Sequence, residues 1–188
     1  ICNAAQDIGN AGPDYTFGFG RIDALSSVEI LEQNRYSVNT VANGSTNFVD
    51  IPVPAGTVLL KAMLTWNDPA GAANANPALV NDLDLTVVNG ATTTLPWIMD
   101  KNSPGALATR GIDTYSNIEQ VTLTNPAAGT YRLNVAGTNV TTGPNQQYTL
   151  TWVIEQAHIE VLFPNGGENL IPGTATGANI QYITWNNA

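Results

Sequence analysis

The sequence predicts an all-β protein: an antiparallel β-sandwich of jelly-roll form, preceded by a short helical segment and followed by part of a second β module. Three observations carry this. Six apolar or β-branched runs of strand length recur between residues 37 and 157, each bounded by Pro, Gly or Asn. Helical spacing of apolar residues is confined to the first block of the chain. Asn, Thr and Gly are abundant while lysine occurs only at Lys61 and Lys101, a composition suited to turns and β-branched strands.

Residues 1–36 form the first block. ICNAAQDIG reads as the end of a helix stopped by Gly9. Ile22, Leu25, Val28, Ile30 and Leu31 lay an apolar stripe along a second helix that Asp23 is placed to start. Between them runs a loop of Gly, Pro and aromatics, NAGPDYTFGFGR. The second block, residues 37–157, holds the runs NFVDIPVP, VLLKAMLTW, NDLDLTVVN, IEQVTLTN, TYRLNVAG and QYTLTWVIE. PAGT at 54–57 and PAAGT at 126–130 set a Pro and then a Gly ahead of the strands they lead into, which is turn chemistry. Six such strands with no helical pattern among them favour two packed antiparallel layers. The polar stretch 88–116 is then a long excursion, of the kind that is functional or mobile in compact domains. The third block, residues 158–188, carries two strand-like runs, IEVLFPNGGENL and IQYITWNNA, separated by PGTATGAN. About 30 residues do not bury an independent core, so this block is expected to open a further module.

Charge narrows the partners. Fifteen acids against six bases leave a formal charge of -9 over 188 residues. Phosphate binding relies on clustered Lys and Arg, so nucleic acid and anionic membrane are poor partners and a divalent cation is a better one. No run approaches the ~20 apolar residues of a membrane span. A single cysteine, Cys2, rules out an internal disulfide framework. Ile1 opens directly into an apolar segment without a charged start, so no signal peptide is visible and the chain is expected to begin inside something larger.

The string GFGRIDA, from Gly18 to Ala24, after an Ala-rich helix end, resembles the carboxy-terminal end of the catalytic domain of subtilisin-like serine proteases. WNDP at 66–69, LVNDLDL at 79–85, PWIMD at 96–100, NIEQV at 117–121 and PAAGTYRLNV at 126–135 resemble the β-sandwich that follows that domain in a group of bacterial subtilisin-like proteases, a module similar in architecture to the P-domain of the proprotein convertases. FPNGGENL and ITW resemble the opening of the immunoglobulin-like or fibronectin-like repeats in tails of secreted bacterial enzymes. Hydrolysis in this family needs a Ser nucleophile, a His base and an orienting Asp. The family's Gly-Thr-Ser-x-Ala nucleophile motif is absent, and the one histidine, His158, falls at a domain junction. The resemblance therefore implies a secreted, non-catalytic accessory region that has no peptidase activity. Its partners would be its own upstream catalytic domain and a protein or polymer substrate.

LVNDLDLTV poses the sharpest chemical question. Successive strand side chains alternate faces, so Asp82 and Asp84 share one and Leu83 and Leu85 the other. Same-face acids repel and invite a cation, and Ca²⁺ takes six to eight oxygen ligands. Asn117 and Glu119 of NIEQV and Asp68 of WNDP are further hard oxygen donors that such a site would draw on. A Ca²⁺ site and plain solvent exposure both stay open. A glycosidase pair is disfavoured because Trp66, Trp97, Trp152 and Trp185 are scattered and build no sugar platform. Trp66 and Trp152 are expected in the core at strand ends, and Trp97 is expected as an exposed aromatic contact. Zinc lacks Cys and His partners. The alternative to an accessory protease region is a carbohydrate- or cell-surface-binding module acting through Trp97 and the 100–116 loop, or a structural adhesin-like tail.

Overall fold

The computed structural model describes residues 1–157, 159–163 and 184–187, the last two segments as backbone only. Ten strands fall in the first 156 residues: β1 (Tyr36–Val41), β2 (Thr46–Val53), β3 (Thr57–Trp66), β4 (Asp82–Asn89), β5 (Thr92–Thr94), β6 (Trp97–Ile98), β7 (Thr109–Arg110), β8 (Ile118–Thr124), β9 (Gly129–Asn139) and β10 (Gln146–Gln156). They form two four-stranded sheets, ordered β1-β10-β3-β8 and β2-β9-β4-β5, with β6 and β7 as a separate two-stranded ribbon. The pairs β1–β10, β3–β8, β2–β9, β9–β4 and β4–β5 are antiparallel. Apart from the β4–β5 hairpin, neighbours in each sheet come from distant parts of the chain, and successive strands β1 to β4 alternate between the two sheets. That is the double-sheet jelly roll expected.

The core forms because strand alternation aims one set of side chains between the sheets. Ile51 and Val53 of β2, Leu83, Leu85 and Val87 of β4, and Leu133 and Val135 of β9 meet Leu60, Ala62, Leu64 and Trp66 of β3, all but fully buried. Trp152 packs partly buried against the same cluster. β3 is buried on its second face too, where Lys61 and Met63 point. A strand covered on both sides needs a near-continuous apolar run, and VLLKAMLTW is one, apart from Lys61.

Residues 1–35 supply that second cover. The expected amino-terminal helix is only a 3₁₀ turn, Cys2–Ala4, because Gly9 and the loop beyond it leave no room for propagation. Asn3 donates to the Thr151 carbonyl and hydroxyl at 3.1 Å and accepts from Gln120 Nε2 at 3.2 Å, while Lys61 Nζ donates to the Ala5 carbonyl at 2.8 Å. Gln6 pairs with Arg21 through both backbone bonds at 2.8 Å. Gly20 makes this approach possible: with φ at +105°, a Cβ there would lie 2.0 Å from the Gln6 carbonyl oxygen.

Helix α1 (Ala24–Glu32) starts where expected: Asp23 caps it, accepting from Ser26 N at 3.0 Å. Its apolar stripe does not point inward. Only Ile30 is buried, against Ala4 and Val153, whereas Ile22, Leu25, Val28 and Leu31 are exposed.

Residues 1–155 make one compact unit and residues 156–188 a second. In the latter, β11 (Ile159–Phe163) and β12 (Thr184–Asn187) pair antiparallel, matching the two strand-like runs. His158 lies outside the described residues, as do residues 164–183 between these strands. No helix among the described residues is long and apolar enough to cross a membrane.

Candidate functional site

The open side of the sandwich lies where β4 and β8, each near the edge of its own sheet, face one another. β5 pairs only with Val87–Asn89, so the first half of β4 lacks a neighbour on that side. On its other side β4 pairs with β9, and the register slips between Asp82 and Leu83, leaving Thr138 as an extra residue. Thr138 uses its hydroxyl to donate to Asp84 Oδ2. The alternation of β4 is as expected: Leu83 and Leu85 are fully buried, Asp82 and Asp84 half-buried.

Glu119, expected as an oxygen donor, is buried inside the sandwich. It sits opposite Leu64 across the β3–β8 pair, in phase with Val121, and therefore points into the interior with 1% exposure. Its Oε2 accepts from the otherwise unpaired Leu85 N–H at 2.7 Å and so closes the bare edge of β4. Its Oε1, like Oδ1 of Asp82, is buried with no hydrogen-bond partner. Leaving such atoms unsatisfied is costly. Burial pushes the Glu119 carboxyl up to about 9, and the negative charges of Asp84, Asp113 and Asp82 add to the rise; the Leu85 N–H opposes it. Burial also raises Asp82 to about 6, helped by Asp84, Asp113 and Asp68.

The five acids and amides expected to converge thus divide into two groups. Asp82, Asp84 and Glu119 share one neighbourhood, joined by Asp113, which the sequence reasoning did not single out. Asp113 accepts from Tyr115 N at 2.8 Å and Ser116 N at 3.2 Å and folds its loop back toward the cluster. Asp68 and Asn117 hold the backbone instead. Asp68 accepts from Val80 N at 2.7 Å and Asn81 N at 2.8 Å, pinning the long β3–β4 connection. Asn117 Nδ2 donates to the Trp66 carbonyl at 2.8 Å. Asn81, fully buried, is the hub of that corner: its Nδ2 donates to the Thr142 carbonyl and Gln146 Oε1, and its Oδ1 accepts from Thr141 and Thr142 N. Among the described residues no three His, Cys, Asp or Glu side chains are gathered closely enough to chelate a metal. What the cluster offers is two unspent carboxylate oxygens in a buried, negative recess, which take either a proton or a cation.

Trp97 is not the exposed platform expected. Its indole N–H donates to Thr122 Oγ1 at 2.8 Å, the Arg110 guanidinium lies 3.6 Å from the ring centroid, and Gly12 packs so tightly that a Cβ there would come within 2.8 Å of the ring. Arg110 also donates to the Leu95 and Thr122 carbonyls, and burial lowers it to about 10. This stack fastens the 95–116 excursion to β8, so Trp97 serves the fold.

No family model matches the chain. Over 94 residues, 48% of this chain, it is 36% identical to the serine protease/ABC transporter B family protein tagB of Dictyostelium discoideum. It is 32% identical over 124 residues, 58% of this chain, to tagD of the same organism. It spans only 5% and 7% of those proteins. The relationship to protease-named proteins is therefore distant and confined to a small region of them. The periplasmic g-type lysozyme inhibitor PliG of Aeromonas hydrophila overlays 64% of this chain and 84% of its own, with 16% identity and a TM-score of 0.35, too low to bear on function.

Proposed function

We propose that this chain is a non-catalytic accessory region of a secreted serine endopeptidase of the subtilisin-like kind, with a P-domain-like sandwich that braces the protease domain. One observation carries the proposal: of fifteen exposed large apolar side chains among the described residues, ten lie within residues 1–38. Three of them, Leu25, Val28 and Leu31, run along the exposed side of α1, with Ile22 just ahead of its cap and Tyr15 and Phe17 exposed in the preceding loop. Exposed apolar surface on this scale marks a contact with another body. The GFGRIDA string and the distant protease-named relatives support reading that body as a protease domain, with the region itself cleaving no peptide bond.

The test uses Leu25→Ser and Leu31→Ser. In the isolated region these exposed changes are expected to shift stability by no more than about 0.5 kcal/mol. In the polypeptide that joins the region to a protease domain they are expected to shorten the half-life of activity on heating. An unchanged half-life overturns the bracing role, and a concentration-dependent dimer of the isolated region abolished by the same changes assigns the face to self-association.

The same proposal includes Ca²⁺ at the β4–β8 edge. Asp82 and Glu119 supply the unspent oxygens, Asp84 adds charge beside them, and Asp68 and Asn117 hold the backbone of the strands that carry the site. A bound cation would offset the mutual repulsion of these acids and tie the open edges of the two sheets together.

A further inference from the structure

The outer face of the β1-β10-β3-β8 sheet is only half covered. Residues 1–6 lie over Lys61, Gln120 and Thr151. Further along the same faces, four residues on in β3 and two residues away in β8 and β10, come Thr65, Ile118 and Thr149. These three, with Asn67, Asn117 and Gln147, line an open cleft of about 350 Å³, within the usual range for small-ligand sites. Its chemistry is unusual for this chain: a protein of net charge -9 places no ionisable group on the lining apart from the buried phenol of Tyr148. Among the described residues the side chains of Thr65, Asn67, Gln147 and Thr149 make no hydrogen bond, and Asn117 has spent only its NH₂. Two amides and two hydroxyls offer donors and acceptors together, beside the alkyl surface of Ile118.

Neutral groups that both donate and accept, next to a small apolar patch, match the vicinal hydroxyls and C–H face of a sugar. They match neither an anion nor a cation. We propose that this cleft binds a neutral oligosaccharide, at a site distinct from Trp97 and independent of the protease reading. The alternative class, an extended peptide, is served less well, because β10 and β3 are adjacent strands whose main-chain groups are committed to their own sheet.

Saturation-transfer NMR of the 188-residue chain against a panel of neutral oligosaccharides (β-glucan, xylan and N-acetylglucosamine oligomers) and an unstructured uncharged peptide tests this. The expected result is transfer to at least one sugar, insensitive to 0.5 M NaCl and reduced more than tenfold by N67A/Q147A. Asp82→Asn should leave it intact, and thermal melts of N67A/Q147A should match the wild type. Transfer to no sugar at millimolar concentration, transfer that survives N67A/Q147A, or transfer to the peptide alone overturns the proposal.

Discussion

Glu119 gives the metal-free protein an unusual dependence on pH. Its carboxyl is raised from an ordinary 4.5 to about 9 in the fold, chiefly by burial. A raised acid binds its proton more tightly folded than unfolded, so its contribution is complete below the unfolded value and drains away as pH rises to the folded one. Between pH 4.5 and 7 that amounts to about 3 kcal/mol, and by pH 9 to about 6 kcal/mol, at 1.36 kcal/mol per unit. Asp82, raised to about 6, loses its share earlier, between its ordinary 3.8 and 6. In EDTA, urea unfolding at 25 °C should therefore show greatest stability near pH 4 and a steady decline toward pH 9. Glu119→Gln removes most of that slope above pH 6: the amide still accepts from Leu85 N–H and its NH₂ can face the unpartnered Asp82 oxygen. The variant should exceed the wild type by about 3 kcal/mol at pH 7 without metal. Equal slopes for the two proteins would refute the burial of an ionising group at this edge.

Adding 5 mM Ca²⁺ should raise the wild-type melting temperature at pH 8 and flatten its pH dependence, with both effects lost in D82N/E119Q; calorimetric silence in the wild type rules the cation out. Asn81→Ala strips four hydrogen bonds from a fully buried corner and should cost about 3–5 kcal/mol by urea unfolding. Gly20→Ala, which would drive a Cβ into the Gln6 carbonyl, should destabilise by more than about 3 kcal/mol and raise hydrogen exchange across residues 1–21. Gly18→Ala, with open space around it and φ at +62°, should cost only about 1 kcal/mol.

Much of the jelly roll was legible because its long strands announce themselves. VLLKAMLTW and NDLDLTVVN differ in texture for a physical reason, since β3 is covered on both faces and β4 on one. β1 was missed because YSVNTV mixes apolar and polar residues without sustained alternation, buries only Val41 and pairs at the edge of its sheet, and β5 to β7 because two- and three-residue strands in an excursion carry no periodicity. The helix cap at Asp23 could be read; the direction of the helix could not, because a stripe says that a face is apolar but not what covers it. Of the site, the β4 pair was legible from alternation. Glu119 carried a signal that went unused: in IEQVTLT it is in phase with Val121 and Leu123, an acid at an inward position. Asp113 and Arg110 depend on how a long loop folds back, which no local pattern encodes.

The seam between residues 1–35 and the sandwich also bears on how such proteins are shuffled by recombination. A crossover at Tyr36, where the sequence texture changes, would part Lys61 from the Ala5 carbonyl and Gln120 and Thr151 from Asn3. A foreign sandwich would arrive with its own outer face and no matching partner. The heritable module therefore includes residues 1–35 despite their different sequence texture, and chimaeras that keep them with their own sheet should be the ones that survive.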